Sequence, residues 1–123
     1  MHYLTDRKRA EGRGAAHKGT EHQWFMTVSS VALVFLIPAF VYIFGTALGR
    51  PHDEVLATFA RPVPAVVTAL TLVAGMMHFH RGAKMMIQDY SHGLTRKALI
   101  MAAVFVSYTV MAAGLYALVR IAL

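Results

Sequence analysis

The sequence predicts an all-α membrane protein with three transmembrane helices, its N-terminus cytoplasmic and its C-terminus outside. Composition, three uncharged runs and the placement of Lys and Arg predict it. Of 123 residues, 57% are hydrophobic and 15% charged, against roughly 25% charged in soluble domains. A chain this short has room for one domain and could not hide so much apolar surface from water. The composition fits lipid as the solvent.

Residues 1–23 form a polar tail carrying Arg7, Lys8, Arg9, Arg13 and Lys18. The tail has neither the apolar core nor the small-residue cleavage site of a secretory signal. It is expected to lie on the membrane surface or on a partner, ahead of an anchor domain over residues 24–123. The first span covers residues 24–48 without a charge, long enough to cross a hydrocarbon core of roughly 30 Å. Trp24 opens it as an interfacial aromatic, and Pro38 is expected to kink it within a bundle. The second span starts at Pro62 and Pro64, which suit a first helical turn, and runs through residues 62–88, with Gly93 as a stop just beyond. The third span covers residues 98–121.

Orientation follows from the basic residues. The tail and the segment from Arg81 to Lys97 are rich in them. The loop between spans one and two has Arg50 and Arg61, and the C-terminus has Arg120. By the positive-inside rule the tail and the second loop are cytoplasmic. The formal charge of +6 thus reads as topology signal and headgroup contact, not as a nucleic-acid surface. With no cysteine, iron–sulfur ligation and thiol chemistry fall to other chains.

The second span carries the chemistry. Ionisable residues at membrane depth are costly and mark function. His78 lies about 22 Å beyond Val63 at 1.5 Å per residue, inside the hydrocarbon towards the cytoplasm. A neutral imidazole there needs a hydrogen bond or a metal. At 100° per residue, Thr71, Ala74, Gly75 and Gly82 fall within about 60° of His78, so its face is cleared of large side chains. The clearing suits close packing of another helix. It equally suits a flat macrocycle whose iron His78 ligates. One histidine supplies one axial ligand, and a second would come from another chain or from elsewhere in this one.

Three turns further on, about 16 Å away and on the same face, Asp89 is followed by Tyr90 near the cytoplasmic headgroups. A phenol can donate to a quinone carbonyl while a carboxylate orients groups or relays protons. An interfacial tyrosine beside a solvated aspartate is the plainer reading. Arg81 suits either a haem propionate or snorkelling to the headgroups. Lys84 points away from the histidine face, and His80, on the opposite side of the helix, is expected to touch a partner. His17, His22, His52 and His92 lie in polar segments, where solvated or interfacial roles are expected. No spacing supports a zinc site.

The stretch from His78-Phe79-His80-Arg81-Gly82 to Asp89-Tyr90-Ser91-His92-Gly93 resembles the second helix of the smaller, b-type cytochrome anchor subunit of succinate dehydrogenase (complex II). That family places an axial haem histidine eleven residues before an Asp-Tyr pair, with glycine one turn after the histidine. His22-Gln23-Trp24 is similar to the family's segment before its first helix. The basic residue often found early in that helix is replaced here by Val28 and Ser29, which removes a first-helix cation for haem or quinone.

The resemblance implies that His78 ligates the iron of haem b and that Tyr90, with Asp89 beside it, binds ubiquinone. It implies a multi-pass protein of the cell inner membrane. Its partners would be a second membrane anchor (cytochrome b) subunit, an iron–sulfur subunit and a flavoprotein subunit. Electrons would pass from succinate to quinone through the assembled complex, and this chain alone would have no turnover. Two rivals stand beside it. One is a haem-free structural anchor of a related fumarate reductase, with His78 in a helix–helix hydrogen bond. The other is a small membrane transporter component, against which spans one and three carry no buried charge.

Overall fold

The computed structural model describes Tyr3, residues 5–11 and residues 18–123. Arg13 and His17 of the basic tail lie outside the described residues. A short helix α1 spans Asp6–Glu11, followed by α2 over Gly19–Ala47, α3 over His52–Ala60, α4 over Pro62–Tyr90 and α5 over Gly93–Ala122. Three of these, α2, α4 and α5, are long and apolar enough to cross a membrane, as the uncharged runs predict.

The long helices overrun the uncharged windows. The first begins at Gly19 rather than near Trp24, and the third at Gly93 rather than Ala98. Each is about 43–45 Å long at 1.5 Å per residue, which exceeds the hydrocarbon core. Their extra turns carry His22 and Gln23, or Arg96 and Lys97, side chains that belong in the headgroup layer. Hydropathy marks the hydrocarbon, while backbone hydrogen bonding continues past it.

The connection between spans one and two, read from sequence as a loop, contains α3. Pro51 precedes it, and Asp53 and Glu54 occupy its first turn, where acidic groups complement the helix dipole. Val55, Thr58 and Phe59, at helical spacing, are its half-buried residues, and the helix packs on α4 and α5. Gly49 and Gly93, both at positive φ (77° and 60°), sit at the two turns where the chain reverses, a conformation that L side chains resist.

Helix α4 is the middle of the fold. It packs against α2 on one side and α5 on the other, whereas α2 and α5 do not pack on each other. Helices α2 and α4 run antiparallel in a regular register. His22 meets Met85, Phe25 meets Arg81, Ser29 meets His78, and Leu36 meets Thr71. Steps of three, four and seven residues up α2 match steps of four, three and seven down α4, so the same face stays in contact throughout. Helix α2 continues through Pro38, which removes the bond that Val34 would otherwise accept. Close to that break, Thr71 Oγ1 reaches across to the Leu36 carbonyl at 3.4 Å.

On the other side, α5 comes close to α4. Ser107 is fully buried and donates to the Ala103 carbonyl at 2.7 Å, and Gly114 lies against Leu72. Small residues let membrane helices approach where no hydrophobic drive joins them. Large side chains point outward instead: Phe35 is 73% exposed and Phe105 68% exposed, as lipid- or subunit-facing residues must be.

Candidate functional site

His78 is half-buried on the α2 side of α4. Its Nδ1 lies 2.8 Å from Ser29 Oγ. That hydroxyl also lies 2.7 Å from the Phe25 carbonyl and 3.1 Å from the Met26 carbonyl. It has one proton to give, and the two carbonyls of its own helix compete for it. With that proton on the backbone, the Ser29 oxygen is free to accept from His78 in the tautomer that carries its proton on Nδ1. In that tautomer Nε2 carries the lone pair, and it has no hydrogen-bond partner among the described residues.

Arg81 lies one turn away. Its guanidinium carbon is 3.6 Å from the centre of the Phe25 ring, a cation–π contact that uses the face of the group and leaves its N–H edge available to an anion. The small residues of the His78 face do their packing against α2. A Cβ on Gly82 would meet Met26 Cε at 3.6 Å, and one on Gly75 would meet Leu33 Cδ2 at 4.0 Å. Towards the α3 end the same residues border open space. A mainly apolar cavity of about 520 Å³ lies over α4 between α2 and α5, with Leu33, Phe40, Thr71, Gly75 and Gly114 in its walls.

Asp89 and Tyr90 end α4. Both are exposed, Tyr90 at 84%, and no hydrogen bond or ion pair joins them to another described residue. Asp89 stands at the negative end of the helix dipole, where a carboxylate costs about 0.3–1 kcal/mol. The structure thus brings His78 and Arg81 together against α2 and sets Asp89 and Tyr90 apart at the helix end.

Two other histidines make contacts within the chain. His22 is half-buried, with Nε2 2.7 Å from Met85 Sδ, because α2 extends down to meet the end of α4. His80, expected to meet a partner, faces α5, with its ring centre 5.8 Å from that of Tyr108 and its buried Nδ1 unpaired. Ser29 and Phe25 are the site residues that the sequence reading missed. The signal was a hydroxyl inside an otherwise apolar run, visible only once the α2–α4 register is known.

The chemistry of the donor set fits one axial position on a haem. A neutral imidazole with one nitrogen fixed by an acceptor and the other carrying its lone pair is the usual form of a ligating histidine. Among the described residues no three His, Cys, Asp or Glu side chains gather into a metal cage.

Three helices long and apolar enough to cross a membrane, with His78 and His80 half-buried on the central one, are the architecture of an integral membrane anchor. A family model described as "Succinate dehydrogenase/Fumarate reductase transmembrane subunit" matches residues 1–117. The chain is also 50% identical over 123 residues to a "Succinate dehydrogenase hydrophobic membrane anchor subunit" of Paracoccus denitrificans, covering 100% of this chain and 95% of that protein. No solved structure matches. The chain belongs to the succinate dehydrogenase/fumarate reductase transmembrane subunit family. It is a membrane anchor subunit, multi-pass in the inner membrane and associated with the other subunits of such a complex.

Proposed function

We propose that this subunit holds haem b and ubiquinone for a succinate dehydrogenase, His78 being one axial ligand and Tyr90 and Asp89 the quinone contacts. The observation that carries the reading is the setting of His78: Nδ1 lies 2.8 Å from Ser29 Oγ, and Nε2 has no hydrogen-bond partner among the described residues. Arg81, stacked on Phe25 one turn away, supports it as a cation in reach of a propionate.

When bound, haem supplies a one-electron store between an iron–sulfur subunit and the quinone. The residues of this chain do the positioning. His78 holds the iron from one side, and Arg81 compensates carboxylate charge. The Tyr90 hydroxyl donates to a quinone carbonyl oxygen as that oxygen gains negative charge, and Asp89 takes protons from the cytoplasm and delivers them. A flavoprotein subunit would oxidise succinate, and a second anchor subunit would form the opposite wall of the site. The N-terminus and the Tyr90 end of α4 face the cytoplasm, where the basic residues concentrate.

The Ser29–His78 bond also favours a second reading, a haem-free anchor in which the histidine only joins two helices. The partnerless Nε2 argues for the first. To separate them, the complex is purified in mild detergent through a tag on this chain, and flavin, iron–sulfur and b-type haem are measured together. Haem rising in step with flavin is expected. Flavin and iron–sulfur present without haem would establish the haem-free anchor, and neither present would remove the dehydrogenase assignment of this chain.

A further inference from the structure

We infer that Ser29 is a positioning residue for His78, setting which ring nitrogen faces the iron and how electron-rich that nitrogen is. The inference rests on the haem-ligand reading of His78 and deepens it. Ser29 is 7% exposed, so water cannot stand in for its oxygen. The carbonyls of α4 around the histidine are engaged in their own helix. The Ser29 hydroxyl is thus the acceptor within 2.8 Å of Nδ1, and its own proton is drawn to the Phe25 carbonyl at 2.7 Å.

Two consequences follow. First, the hydrogen bond selects the tautomer with Nδ1–H, so the lone pair sits on Nε2, the nitrogen turned away from α2. Without an acceptor at Nδ1 that preference disappears. Second, an N–H that donates a hydrogen bond makes the opposite nitrogen a stronger donor to a metal, as outer-shell acceptors on ligating histidines generally do. A stronger donor favours the ferric state and holds the haem potential down. This chain lacks a cation early in its first span, having Val28 and Ser29 there. Helix α2 therefore acts on the haem site through an acceptor to the ligand and not through a charge.

The test compares Ser29→Thr, Ser29→Val and Ser29→Ala in the intact purified complex, reading the haem midpoint potential, the EPR signal of the ferric haem and the haem-to-flavin ratio. Threonine and valine have nearly the same shape and differ in the hydroxyl, so their contrast isolates the hydrogen bond from packing. Ser29→Thr is expected to keep the wild-type potential and EPR signal. Ser29→Val and Ser29→Ala are expected to shift the potential upward and weaken haem retention by about tenfold or more. Should one apolar variant fail to assemble, the other carries the comparison. Wild-type complex with haem, and Thr, Val and Ala variants sharing its potential and EPR signal, would overturn this inference alone. Wild-type complex without haem would overturn the ligation reading and the inference with it.

Discussion

The Ser29 hydroxyl and the Nδ1 of His78 lie 2.8 Å apart, joining the first and second membrane spans at one buried polar contact. Around it the register of α2 on α4 brings Phe25 under Arg81 and Met26 beside Gly82. Every group of this chain proposed to act on the haem thus comes from one antiparallel helix pair.

Arg81 tests the electrostatic side of this arrangement. A cation beside the haem stabilises the reduced form, so Arg81→Gln is expected to lower the haem midpoint potential, opposite in sign to loss of the Ser29 hydroxyl. Phe25→Leu keeps the charge but removes the ring beneath it. It is expected to cost about 0.5–2 kcal/mol of stability, measured by thermal unfolding of the complex in detergent, with a smaller change in potential.

At the far end of α4, Tyr90→Phe removes a hydrogen bond to the quinone and is expected to leave the fold intact, because the hydroxyl bonds nothing among the described residues. Its loss is expected to lower kcat/KM for ubiquinone about tenfold, the value of a bond of roughly 1.4 kcal/mol. Succinate-dependent reduction of a soluble dye by the same preparation should be unchanged. Equal loss of both activities would place the defect in assembly and not at the quinone.

Asp89→Asn separates function from stability more sharply. A carboxylate at a helix C-terminus is unfavourable, so the amide is expected to leave the complex equally stable or up to about 1 kcal/mol more stable. Quinone reduction should fall in the same protein. A residue that costs stability where it stands and raises activity has a functional reason to be there.

The glycines divide in a way that is open to measurement. A Cβ on Gly114 would collide with Leu72, whereas one on Gly82 would meet Met26 at an ordinary 3.6 Å. Leu72 meets it with a terminal methyl beside the cavity and can turn away, so Gly114→Ala is expected to cost about 0.5–1.5 kcal/mol. Gly82→Ala should be tolerated by the fold, so any loss of haem in that variant would report the macrocycle lying against α4.

The number and order of the spans were legible in the sequence because lipid imposes one rule, a long run without charge. The ends of the helices were not, since His22 and Arg96 are polar yet helical in the headgroup layer. Helix α3 escaped because a nine-residue helix needs only a short stripe, here Val55, Thr58 and Phe59, that hydropathy windows average away. Within the site, His78 and its cleared face could be read from one helix alone. Ser29 and Phe25 could not, because their role depends on how α2 registers against α4, which no periodicity within either helix encodes. The His22–Met85 and His80–Tyr108 contacts were hidden for the same reason, the second lying between α4 and a third helix.

The most direct test of the central claim is the reduced-minus-oxidised visible spectrum of the purified complex, wild type against His78→Ala, with His80→Ala as a control on the opposite face of the same helix. The account predicts a b-type signal in wild type and in His80→Ala, lost or altered in His78→Ala with flavin and iron–sulfur retained. An unaltered b-type signal in assembled His78→Ala complex would contradict it.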